Sequence, residues 1–274
     1  MIKKVLFRQK KKILRTYRNY IFKLVHKGQD KIFVNSIQKA GTHFLTNALD
    51  NALVQKNLGR GVYDHELTRK WPLGSRENIS TTQKVKKAIN GFLPGEIFRG
   101  HVEYSDEISS YLKQHGIKSF LIIRNPLDVL ISLANWWERH PEIEVQAFLT
   151  FKKIKDPVER VTFLMTGEYN GEQIVENLVT RYQKYLEWLD DNNCHVIRFE
   201  DLLENPEECF KEIKAFLNAP LHLGEFLEGL TPDKSKTFTY QRMKVHKTLT
   251  DDQLLKFKNI GGNYLLQRLN YSEV

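Results

Sequence analysis

Short apolar runs, most of them followed by a segment of helical pattern, recur four times along the chain and leave few folds open. Lys31–Ile37 (KIFVNSI), Glu96–Gly100 (EIFRG), Ile117–Ile123 (IKSFLII) and Cys194–Phe199 (CHVIRF) have the length and composition of buried strands. Helical segments are expected over Thr42–Gln55, after Ser105 with Asp106 and Glu107 in its first turn, and after Pro206. Another opens with Asn125 as N-cap and Pro126 at the first helical position. A helix over 172–190 is expected before the fourth strand, and Thr250-x-x-Gln253 reads as a capping box for a C-terminal helix. Strands alternating with helices imply an α/β fold, a doubly wound central parallel sheet flanked by helices. Residues 57–95 and 138–171 lack such a pattern and are expected to be irregular insertions over the sheet.

Charge divides the chain unevenly. The 274 residues carry 42 Lys+Arg against 33 Asp+Glu, a net charge of +9. Ten of those cations lie in residues 1–28, and the first acid is Asp30. The rest holds 32 basic against 33 acidic residues, a net of −1. The expected organisation is a basic amphipathic arm over 1–28 and a single α/β domain over 29–274. Within the arm, Ile2, Leu6, Ile13, Tyr17, Tyr20 and Leu24 keep helical spacing. Lys10–Lys12 interrupt any apolar core of a secretory signal. Peripheral contact with anionic lipid is one reading of the arm and a solvated helix packed loosely on the body the other, in a protein expected to be cytoplasmic. A near-neutral body argues against nucleic acid as the partner. No run approaches the ~18 apolar residues of a spanning helix. Cys194 and Cys209 make no disulfide framework, and no CxxC or HExxH pattern is present, so no metal is expected.

In an open parallel sheet, ligands bind beyond the carboxyl ends of the strands. Those ends carry Gln38-Lys39-Ala40-Gly41-Thr42-His43, then His101, then Arg124-Asn125-Pro126, then Phe199-Glu200-Asp201. Lys39, His101 and Arg124 thus converge on one rim, as an anion site requires. A turn containing Gly41 leads the first strand into a helix, so backbone N–H groups face whatever sits on the helix N-terminus. Lys39 adds charge and Thr42 a hydroxyl. Walker A (GxxxxGK(S/T)) is absent, because here the lysine precedes the glycine. In the third helix Asp128, Ser132 and Asn135 form one polar stripe among apolar residues, and Ser132 lies two turns beyond Arg124. Both could hold one phosphate. Trp136, Trp137, Phe148, Phe151, Phe163 and Tyr169 are candidates for an apolar acceptor pocket, or simply core.

Four segments together resemble the sulfotransferases that use 3′-phosphoadenosine 5′-phosphosulfate (PAPS). Gln38–Leu45 (QKAGTHFL) is similar to their 5′-phosphosulfate loop, and Arg124–Leu133 (RNPLDVLISL) to their 3′-phosphate motif. His101 stands where that family has its catalytic histidine, and Phe199–Pro206 (FEDLLENP) resembles the segment whose aromatic contacts adenine. The resemblance implies transfer of a sulfuryl group from PAPS, with adenosine 3′,5′-bisphosphate (PAP) as product and no metal. It implies that Lys39 and the amides of Ala40, Gly41, Thr42 and His43 hold the reacting phosphate, and that Arg124 and Ser132 bind the 3′-phosphate. Phe199 would meet adenine, His101 would act as general base, and Arg99 would assist the sulfuryl oxygens. Trp136 and Trp137 are candidates beside a small-molecule, lipid or glycan acceptor. Ala40 and His43 replace the family's usual Ser and Thr, and Phe199 replaces Tyr. The family's C-terminal phosphate segment is not matched; Thr239–Thr250 stands in its place, where Arg242 or Lys247 would take its role. A P-loop kinase-like phosphotransferase and a non-catalytic, membrane-associated nucleotide-binding protein are the competing readings.

Overall fold

The computed structural model describes residue 16 and residues 19–63, 81–140, 146–231 and 248–274. Five parallel strands make the central sheet: β1 (Ile32–Ser36), β2 (Lys56–Tyr63), β3 (Glu96–His101), β4 (Lys118–Ile123) and, beyond a small antiparallel hairpin of β5 (Glu168–Tyr169) and β6 (Glu172–Gln173), β7 (Cys194–Arg198). Their order is β2-β3-β1-β4-β7. From β1 the chain crosses to the edge strand β2 and returns through β3 beside β1, then passes to β4 and β7 on the other side, so the connections leaving β1 and β4 run in opposite directions.

Side-chain alternation along β1 explains the two layers of helices. Ile32 and Val34 enter one core, which is closed by α1 (Thr42–Ala52) and the helices 199–204, 206–217 and 223–229 through Phe44, Leu45, Leu202, Phe210 and Phe226. Phe33 enters the other, closed by α2 (Thr81–Asn90), α3 (Asp106–Gln114) and α4 (Pro126–Arg139), with C-terminal residues Phe257 and Leu265. All five β1 residues are buried, as a strand covered on both faces must be. The doubly wound parallel sheet expected from the sequence is present.

Several segments differ from expectation. The described parts of 57–95 are not irregular: Lys56–Tyr63 is β2, one edge of the sheet, and Thr81–Asn90 is a helix. Two glycines and a register shift between Asn57 and Gly61 erase the apolar alternation that would have marked β2. Residues 138–171 contain the helices Gln146–Lys153 and Pro157–Thr166, the second capped by Asp156 and ended by Gly167. Asn170-Gly171, both at positive φ, turn the small hairpin. The segment 172–190 is therefore not one helix but β6, a helix over Leu178–Gln183 and a 3-10 turn over Leu186–Asp190. The helix after β1 stops at Ala52 rather than Gln55. Capping at Ser105, Asn125 and Thr250 is as expected, with both bonds of the capping box made at Thr250.

Gly100 matters to the strand that carries the rim. A Cβ there would stand 2.6 Å from the Val62 carbonyl oxygen and 2.8 Å from the Phe33 ring. Gly100→Ala is expected to destabilise the fold by about 1–3 kcal/mol through overpacking. The check is a lower urea midpoint at unchanged m-value; a wild-type midpoint would contradict the packing described.

Candidate active site

The reversal between β1 and β4 makes a crevice at their carboxyl ends, where parallel sheets of this kind bind ligands. Loop 37–41 leaves β1 there, and Arg124 leaves β4. Lys39 (φ 71°) and Gly41 (φ 114°) are both left-handed. For Gly41 the cause is close approach as well as φ, since a Cβ would lie 2.4 Å from the Phe199 ring. A lysine in this conformation costs about 1–2 kcal/mol. Its peptide is held by Arg124, whose Nη1 donates to the Lys39 carbonyl at 3.3 Å. No side chain caps the N-terminus of α1, and its first turn has no acid. The positive end of the helix therefore opens on the crevice.

Arg124 is 7% exposed, and its guanidinium lies 4.6 Å from the Phe199 ring centroid. Its backbone is held as firmly. The Tyr182 hydroxyl donates to the Arg124 carbonyl at 3.2 Å, and the next amide, Asn125, donates to Glu200 Oε1 at 3.0 Å. Glu200 Oε2 also accepts from the Tyr271 hydroxyl at 2.7 Å. Phe199 is 3% exposed, edge-on to Phe44. Its ring lies against Arg124, Gly41 and Phe44, as a floor beneath the arginine.

His101 ends β3, and its Nδ1 lies 2.8 Å from the Ser36 carbonyl oxygen. A carbonyl only accepts, so Nδ1 carries the proton and Nε2 is the basic nitrogen of the neutral ring. The strand just beyond is clamped by Asn35. Its Nδ2 donates to the Val102 carbonyl at 2.8 Å, and its Oδ1 accepts from the Val102 amide at 2.9 Å. Trp188 Nε1 donates to the same carbonyl at 3.0 Å.

Arg99, two residues earlier on β3, donates from Nε to the Tyr63 hydroxyl (3.2 Å) and from Nη1 to His43 Nδ1 (3.0 Å). His43 thus accepts at Nδ1 and offers Nε2–H as a donor. Desolvation first, then the charges of Arg99 and Lys39, push its pKa down to about 4. It is a neutral ring on a cationic rim.

The remaining candidates fall into place around this group. Lys39 Nζ lies 5.5 Å from the Trp136 ring centroid. Trp137 instead, partly buried, packs edge-on against the core residues Phe148 and Phe151. Ala40 is buried beneath the loop. Thr42 is buried too, and its hydroxyl is hydrogen-bonded to that of Ser36. Ser132 is half-buried two turns into α4. Arg242 and Lys247 lie outside the described residues. Among the described residues no group of three or more His, Cys, Asp or Glu could hold a metal ion. Asn35, Ser36, Tyr63 and Tyr182 were not singled out by their sequence, and Glu200 only by its place after the last strand, although two polar residues inside the apolar run KIFVNSI are a signal that they serve a purpose.

The sulfotransferase domain family matches residues 29–262. No curated protein matches the sequence. A crystal structure of a mouse sulfotransferase complexed with PAP is similar, with TM-score 0.58 and 15% identity over 91% of this chain and 88% of that one. A sulfotransferase from Alicyclobacillus acidocaldarius aligns with TM-score 0.47 and 16% identity, over 88% of this chain and 94% of that one. At such identities the mouse structure bears on the fold alone.

His43 provides a pH test of this geometry. With a folded-state pKa of about 4 against 6.5 unfolded, the unfolded chain binds more protons between those values. Stability contributed by neutral His43 is therefore present above about pH 6.5 and is lost as pH falls towards 4. Arg99→Ala should raise the His43 pKa, because of the two charges acting on it Arg99 has the larger effect, as read by NMR titration of the imidazole. An unchanged titration would contradict the pairing.

Proposed function

The chain belongs to the sulfotransferase domain family, and on that premise we propose that it transfers a sulfuryl group from PAPS to a hydroxyl or amine of an acceptor. The observation that carries this reading is a shared backbone: within four residues, Ser36 accepts from His101 and Lys39 accepts from Arg124. One loop thus sets the spacing between a proton acceptor and an anion-binding cation.

When bound, PAPS supplies the sulfuryl group, whose sulfur exchanges its bond to the 5′-phosphate for one to the acceptor, and PAP leaves. Lys39 Nζ and the amides at the start of α1 are the groups that would hold that phosphate and carry the charge developing on it. The loop suits an anion of this kind, being uncapped, free of acid and held left-handed at Gly41 against Phe199. Arg124 and Ser132 would hold the 3′-phosphate, with Arg242 or Lys247 adding charge from the C-terminal segment. His101 takes the acceptor's proton on Nε2, the position its bond to Ser36 reserves for that purpose. Arg99, oriented by Tyr63 and His43, would face the sulfuryl oxygens. Trp136 beside Lys39 forms part of the acceptor wall. The acceptor is a small molecule, a lipid or a glycan with a nucleophilic hydroxyl or amine.

Lys39→Ala and His101→Ala are each expected to lower kcat with labelled PAPS by at least ~100-fold. Near-wild-type turnover in either variant would overturn the roles assigned. In a thermal-shift assay PAP should stabilise the protein and ATP–Mg²⁺ should not; the reverse order would indicate a phosphotransferase.

A further inference from the structure

The helical stretch 19–25 precedes β1 and is anchored on one side only. His26 is buried and stacked on Phe22 at 4.0 Å, and its Nδ1 donates to Gln29 Oε1 at 2.8 Å. It packs against Gly95, where a Cβ would come within 2.6 Å, and the Gly95 amide donates to the Gln29 carbonyl. The other side carries Tyr20, Ile21, Leu24 and Val25, exposed to 60, 40, 56 and 65%. Positions i, i+1, i+4 and i+5 share one helix face, so these four make a stripe rather than scattered exceptions. Lys23 and Lys27, also exposed, border it.

Charge indicates what covers the stripe. Residues 1–28 hold ten Lys and Arg and no acid, while the rest of the chain is at −1. The occupant must offer negative charge and hydrocarbon together. An anionic lipid surface does; nucleic acid offers only the first. We propose that this helix lies in the interface of an anionic membrane, with Tyr20, Ile21, Leu24 and Val25 towards the acyl chains and Lys23 and Lys27 among the headgroups. No described helix is long and apolar enough to cross a membrane, and this one would lie on it. It joins the body at the amino end of the sheet, beside Gly95. The carboxyl rim that carries Lys39 is a strand length away, about 17 Å for five residues. Lipid contact and the crevice thus occupy opposite ends of the sheet, and the proposal holds whatever reaction the crevice performs.

The test is co-sedimentation of the full chain with phosphatidylcholine vesicles, with and without phosphatidylglycerol. Binding is expected with the anionic vesicles and at least about tenfold weaker with the neutral ones. Leu24→Ser with Val25→Ser should weaken anionic-vesicle binding at least ~10-fold at unchanged Tm, because both side chains already face solvent. Lys23→Glu with Lys27→Glu should do the same without touching the apolar stripe. Absence of binding to anionic vesicles, or equal binding by the Leu24/Val25 variant, would overturn the proposal. So would light scattering that shows a dimer dissociated by that variant, since a second copy would then cover the stripe.

Discussion

Arg124 donates to the carbonyl of Lys39 across the crevice between β4 and β1, and most of the candidate site is referred to that bond and the loop it pins. The same loop begins at Ser36, whose carbonyl holds His101 and whose hydroxyl meets Thr42. Shifting Lys39 therefore shifts His101 and Arg124 with it. A guanidinium this deeply buried is costly to desolvate, and its surroundings are correspondingly specific. Phe199 supports its face, and Tyr182 and Glu200 fix the backbone on either side of it. Phe199 can lie so close to the loop only because residue 41 has no side chain.

The rim gathers Lys39, Arg99 and Arg124 at the positive end of α1, in a body whose overall charge beyond residue 28 is −1. His43 registers the consequence, being driven neutral by desolvation and by two of these cations. Its neutral form is the one that can accept from Arg99, so the depressed pKa and the hydrogen bond support each other. The chain's excess charge is a separate matter. In the sequence it lies in residues 1–28, of which Lys23 and Lys27 border an apolar helix face at the other end of the sheet.

Four of the five strands were legible as short apolar runs; the inner strands β1, β3 and β4 are buried on both faces, and β7, at the second edge, keeps apolar residues as well. The edge strand β2 was not, since an edge tolerates glycine, charge and a shifted register. Lys39, Gly41, His101 and Arg124 were legible from their place after strands, a rule of topology that needs no coordinates. The residues that position them were harder to read. Asn35 and Glu200 act on backbone groups, Val102 and Asn125, that are distant in sequence. Such partners leave no local periodicity. Phe199 was legible as important, but its neighbours Gly41 and Arg124 were needed to see it as a floor. Arg242 and Lys247 are still known only from sequence.

The central claim is that one loop, pinned by Arg124, positions a nucleotide against His101. A crystal structure of the protein grown with PAP tests it most directly. The account predicts the 5′-phosphate on the amides of residues 40–43 within reach of Lys39 Nζ, the 3′-phosphate on Arg124, and the bond from His101 Nδ1 to Ser36 retained. A nucleotide bound elsewhere, or one whose phosphates touch neither Lys39 nor Arg124, would contradict it.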